Sequence, residues 1–141
     1  MLRAFFRDRR GASAVEFALI SPFLVMLVGA ILAYGSIFAT SLSLQQLAAE
    51  TARATIAGLS DAERLKLAQD KLAATEGSYP LLNASKITFS FDPGANSKLS
   101  RITLKYDMTG HPAYALDKLL PMPASPLTYS MIITDGDGAT S

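Results

Sequence analysis

The sequence predicts an α+β protein. A long N-terminal transmembrane helix continues past the membrane, followed by a second helix and a small antiparallel sheet of about three strands. Three observations carry this. Residues 17–39, FALISPFLVMLVGAILAYGSIFA, run 23 positions without a formal charge. Residues 41–58 keep a helical period without a proline. Residues 86–92, 101–108 and 127–134 alternate apolar with polar side chains, the period of half-buried strands.

The uncharged run is long enough for a bilayer. At about 1.5 Å per residue it spans roughly 34 Å, against a hydrocarbon core of about 30 Å. Arg3, Arg7, Arg9 and Arg10, against the lone Asp8, make the preceding residues strongly basic. That charge assigns the N-terminus to the cytoplasm and everything after residue 40 to the far side. Without residues 1–11 the chain keeps nine basic and eleven acidic side chains; the whole carries +1. No global field therefore favours nucleic acid. The absence of cysteine excludes a disulfide framework, a thiol nucleophile and a cysteine metal site.

A basic stretch before an apolar one also fits a cleaved secretory signal, with Ala33-Tyr34-Gly35 as a weak small-x-small site. The apolar run is about twice the usual signal length, which favours a retained anchor. Pro22 and Gly29 are tolerated in spanning helices. Ala14 and Ala18, Gly29 and Ala33, and Gly35 and Ala39 recur at four-residue spacing, which lets helices approach closely.

Beyond the membrane, Leu44, Leu47, Ala48, Thr51, Ala52 and Thr55 form one stripe at i, i+3, i+4 spacing, and Gly58 offers a stop. The helix is expected to run from about residue 12 to 57, roughly 70 Å. Residues 59–77 read as the second helix. Ser60 followed by Glu63 fits a capping box, Leu65, Leu67, Ala68, Leu72 and Ala73 supply an apolar face, and Gly77 ends it. Strand-like runs place Ile87, Phe89 and Phe91, then Ile102, Leu104, Tyr106 and Met108, then Leu127, Tyr129, Met131 and Ile133 inward. A PGANSK turn joins the first two runs. A proline-punctuated connector, 111–126, with a short helical turn at 113–119, leads to the third. About 80 residues make a module that is marginal alone and gains from packing on the projecting helix.

Candidate chemistry in this module is thin. His111, the only histidine, stands beside Pro112 without a companion constellation and reads as a turn residue. TDGDG, 134–138, is similar to the start of a calcium loop but lacks the closing acid and reads as a tail. Ser21 and Ser36 are expected to bond their own helix backbone. Tyr106 and Tyr129 suit strand positions. With no phosphate loop, triad or metal cluster in the sequence, an enzyme is the least favoured class, and no cofactor is expected.

Glu16 stands at the entrance of the apolar run. It can be a plain interfacial acid, favoured by the helix N-terminus. Its neighbours add a second reading: Gly11 lies directly after RDRR, four small or apolar residues follow, then Glu16 and Phe17.

The stretch RRGASAVEFALISPFLVMLVGAILAYG resembles the N-terminus of TadE-like pseudopilins of the tight-adherence (Flp) pilus system, relatives of type IV pilins in bacteria. LQQLAAETARATIAG is similar to the Ala- and Arg-rich helix that follows in such proteins. The close resemblance covers about residues 7–58. It implies cleavage after Gly11 by a prepilin peptidase, exposing an amine on Ala12, with Glu16 and Phe17 serving subunit assembly or recognition by the peptidase. That amine lies about 6 Å up the helix from Glu16 and offers the carboxylate a partner.

The expected organisation is therefore a leader at 1–11, a transmembrane helix at 12–40, its periplasmic continuation at 41–58, and a small α+β periplasmic module at 59–141. The expected protein is a minor pseudopilin in the inner membrane. Its partners would be the peptidase, other pilins, the assembly platform and membrane lipid. The alternatives are an unprocessed single-pass envelope scaffold and a secreted small binding module or hydrolase.

Overall fold

The computed structural model describes residues 11–75, 77–94 and 99–134. The four arginines of the N-terminus lie outside these residues, as do most of the PGANSK turn and of TDGDG. Helix α1, Ala12–Thr55, is a single α-helix of 44 residues. Helix α2, Asp61–Ala74, and a three-stranded antiparallel sheet follow: β1, Ile87–Asp92; β2, Leu99–Tyr106; β3, Leu127–Thr134. The α+β arrangement stands as expected. The spatial order is β1-β2-β3, so β2 is central.

Helix α1 has two regimes. Across residues 12–28 every position is exposed except half-buried Ser21. From Ala33 onward a continuous stripe is buried: Ala33, Ile37, Thr40, Leu44, Leu47, Ala48, Thr51, Ala52 and Thr55. Its steps of three and four residues keep it on one helical face. The six members expected from residue 44 onward are all in it. Of the three earlier ones, Ala33 and Ile37 sit in a run so uniformly apolar that no polar contrast marks a face. Thr40, Thr51 and Thr55 donate their hydroxyls to Ser36, Leu47 and Ala52 carbonyl oxygens at 2.9, 2.8 and 2.7 Å, which makes them compatible with burial.

The sheet lays one face on this stripe. Ile102, Leu104 and Tyr106 of β2 are buried, and their polar neighbours Arg101 and Lys105 point outward. Leu104, Tyr106 and Met108 join Leu44, Leu47 and Ala48 in the main core. Ala52, Ile102 and Ile133 form a second cluster backed by Phe89, Phe91 and Met131. Every residue expected to face inward on the three strands is buried or half-buried. Strand β2 begins two residues earlier than expected and ends at Tyr106. Leu99 and Ser100 pair with Thr134 and Ile133 of β3. Asp107 ends the strand by accepting from the amide and hydroxyl of Thr109 at 2.9 and 2.6 Å.

Helix α2 packs beside α1. Ser60 is its N-cap and accepts from the Glu63 amide at 3.3 Å, while Glu63 Oε2 accepts from the Leu59 amide at 2.9 Å. The expected capping box is therefore present, its second bond falling one residue earlier than usual. Ala68 is buried, Leu67 and Leu72 are half-buried, and Leu65 and Ala73 stay exposed. The turn between the helices is tight at Gly58. A Cβ there would lie 2.7 Å from Arg64 Cγ and 2.9 Å from the Arg64 amide nitrogen. Arg64 Nε donates to the Gly58 carbonyl at 3.0 Å.

The connector between β2 and β3 is laid along α1. A short 3-10 turn, Pro112–Leu116, replaces the helical turn expected at 113–119. Ala113 is buried against the core. Leu116 reaches Gly29: a Cβ there would be 3.6 Å from Leu116 Cδ1, an ordinary packing distance. Tyr34 donates its hydroxyl to the Pro121 carbonyl.

Candidate functional site

The exposed head of α1 carries the motif singled out above. Gly11 occupies the N-cap with helical dihedrals, φ −81° and ψ −23°, and no side-chain capping bond. Its carbonyl accepts from the Val15 amide at 3.2 Å. The Gly11–Ala12 bond thus links the N-cap to the first residue of α1. Glu16 and Phe17 follow one turn later, both on the exposed part of the helix. Phe17 is 65 % exposed, and Val15, Leu19 and Ile20 around it are similar. The head therefore presents a carboxylate on an otherwise apolar cylinder, open to another helix or to lipid.

Pro22 brings no amide hydrogen, so the Ala18 carbonyl loses its usual donor four residues on. Ser21 Oγ donates to that oxygen at 3.3 Å, and the helix continues through the proline. Ser36 Oγ likewise donates to the Ala33 carbonyl at 2.8 Å. Both hydroxyls are thus used by their own helix, as expected.

The small residues divide into two groups. Ala14, Ala18 and Gly35 are exposed, and a Cβ added at Gly35 would meet nothing within 4 Å. Ala33 belongs to the chain's own core, Gly29 faces Leu116, and Ala39 is half-buried. The Gly29–Ala33 pair therefore receives the connector of the same chain.

In the module, several polar groups serve the fold. His111 caps the 3-10 turn, its Nδ1 accepting from the Ala113 amide at 3.3 Å. Tyr106 accepts from the Asn83 amide at 3.3 Å through its hydroxyl oxygen. The feature sequence reasoning missed is a three-way tie between elements. Glu50 of α1 is 3.0 Å from Lys71 Nζ of α2 and accepts from the Tyr79 hydroxyl at 2.8 Å. The Lys71 hydrogen bond, then the Tyr79 one, holds the Glu50 carboxyl below the usual range. Burial, then the bond to Glu50, pushes the Tyr79 phenol up. Beside this tie, Leu47, Leu72, Tyr79, Leu82, Ile87 and Phe89 line a cleft of about 210 Å³ that is chiefly apolar.

Among the described residues, one helix is thus long and apolar enough to cross a membrane. It bears a Gly-x4-Glu-Phe head and a small sheet on its distal half. No curated protein and no solved structure matches the chain. A family model does match, and it covers the head and the helix rather than the sheet: residues 11–53 fit the family described as TadE-like protein, consistent with a TadE-like protein of the tight-adherence pilus system.

Proposed function

We propose that this chain is a minor pseudopilin that takes part in assembly of a tight-adherence, Flp-type pilus. The observation that carries the reading is the placement of Gly11, Glu16 and Phe17 on the exposed first turns of an apolar helix. The family match begins at that same glycine. In this reading a prepilin peptidase cuts after Gly11 and removes residues 1–11. Residues 12–40 are held in the inner membrane with the N-terminus cytoplasmic. The helix continuation at 41–58 and the module at 59–141 lie in the periplasm.

The chemistry belongs to assembly. Cleavage creates an α-amine on Ala12, roughly 6 Å from Glu16 along the helix. A carboxylate brought into an apolar bundle needs an opposite charge and hydrogen bonds to offset its desolvation. The amine of the same or a neighbouring subunit supplies both. Gly11 suits the peptidase because no side chain crowds the cleaved bond. Partners in this reading are the peptidase, other pilins and the inner-membrane assembly platform. Nothing in it requires the chain to catalyse a reaction.

Intact-mass measurement of the membrane-extracted protein tests the proposal. A mature chain starting at Ala12 is expected. A chain retaining the residues before Gly11 would leave an unprocessed single-pass scaffold, and a start near residue 36 would indicate secretion.

A further inference from the structure

We propose that the connector between β2 and β3 is a membrane-inserted wedge. Leu116, Leu119 and Leu120 enter the acyl region of the outer leaflet beside the spanning helix. The inference rests on the reading of α1 as a membrane span and adds a second point of membrane contact, made by the module itself.

Helix arithmetic sets the depth. About 20 residues of helix cross a hydrocarbon core of about 30 Å. Counted from Ala12, that core ends near Ile31; counted from Phe17, it ends near Ser36. Either count leaves Val25, Met26 and Gly29 inside it, by roughly 3–16 Å. These residues form a groove of about 510 Å³ with Leu116, Leu119 and Leu120. The three leucines therefore sit at the level of lipid chains, and the groove they share with α1 is almost wholly apolar. Leu119 lines this groove and still leaves 63 % of its surface exposed.

The connector backbone is suited to such a medium. An irregular segment at membrane depth must satisfy its own polar groups. Leu119 and Leu120 amides donate to the Leu116 carbonyl at 2.9 and 2.8 Å, and the Asp117 amide donates to the Tyr114 carbonyl at 3.2 Å. Prolines at 112, 121 and 123 bring no amide hydrogen at all. The Pro121 carbonyl accepts from Tyr34, and the Pro123 carbonyl accepts from Tyr114 at 2.7 Å. Two tyrosines thus stand where aromatic side chains with one polar end collect, at the membrane surface.

Asp117 and Lys118 bound the depth. Both are exposed, and an acid at the centre of the bilayer is costly. They confine the wedge to the depth of about 5–10 Å usual for interfacial segments. Lys118 can lay its stem along the apolar surface and carry its ammonium to the lipid phosphates.

The chain has no tryptophan, so single replacements report their own surroundings. The full chain carrying Leu119→Trp, Val25→Trp or Leu81→Trp is reconstituted in phosphatidylcholine vesicles with or without bromine on the acyl chains. The expected result is blue-shifted emission from Leu119→Trp and Val25→Trp, lost in brominated vesicles, with Leu81→Trp unaffected. Quenching of Val25→Trp alone would overturn the wedge while leaving the span intact. Blue-shifted but unquenched emission from Leu119→Trp would mean that protein fills the groove, and would overturn it too. Loss of quenching at both positions would remove the span and the wedge together.

Discussion

Two single positions carry tests of their own: Glu16, through the role proposed for its carboxylate, and Gly58, through the side chain it lacks. For Glu16, the amide variant Glu16→Gln keeps size and shape while removing the charge. We expect it to insert into the membrane normally and to reduce pilus formation, read by extracting the membranes and counting filaments by electron microscopy. Normal piliation would sink the role given to the carboxylate. At Gly58 the constraint is space, since a methyl group would strike the backbone of Arg64. Gly58→Ala should cost about 1–3 kcal/mol, the usual range for forced overpacking, seen as a lower thermal midpoint in detergent. The position of Glu16 stands out in the sequence because it is the only acid at the entrance of the uncharged run. Gly58 was legible only as a helix stop. Its second task depends on where α2 returns, which no local pattern encodes.

Among elements, the joint between α1 and α2 carries a pH dependence. The carboxyl of Glu50 titrates lower in the folded protein than in an unfolded chain, through its bonds to Lys71 and Tyr79. Its contribution is therefore complete above the unfolded carboxylate range and fades as pH falls through the folded value. Thermal midpoints of the native chain and of Glu50→Gln should differ at neutral pH and converge in acid. A constant gap would show that the tie is steric.

The same scale shows what sequence pattern can and cannot reach. Alternation located three strands and the face each one buries. Strand β3 was found with its observed bounds because prolines and a change of composition bracket it. Strand β2 was displaced by two residues, since its start is set by pairing with Thr134 and Ile133 rather than by its own composition. The burial of Ala33 and Ile37 was hidden for a different reason. In a wholly apolar segment a buried face and a lipid-facing one are spelled alike.

For the molecule as a whole, α1 is part of the module. Leu44, Leu47 and Ala48 sit in the same core as Leu104 and Tyr106, and Ala48 is 0 % exposed. A fragment limited to residues 59–141 would leave one face of its sheet bare and is expected to stay unfolded, with poorly dispersed amide resonances. Extending it back to about residue 30 restores the stripe and should restore dispersion, since a small module gains most from added buried surface. A folded 59–141 fragment would contradict this reading of the core.

The helix also has a mechanical side. It is roughly 66 Å from end to end, and its distal half is gripped by the sheet, α2 and the connector. Force applied to the sheet reaches the head of the helix through a shaft with no loop in it. Its one interior proline is bridged by Ser21. Tugging or twisting the sheet is therefore the same act as shifting Glu16, so a load at one end of the helix can be felt at the other without any change of fold.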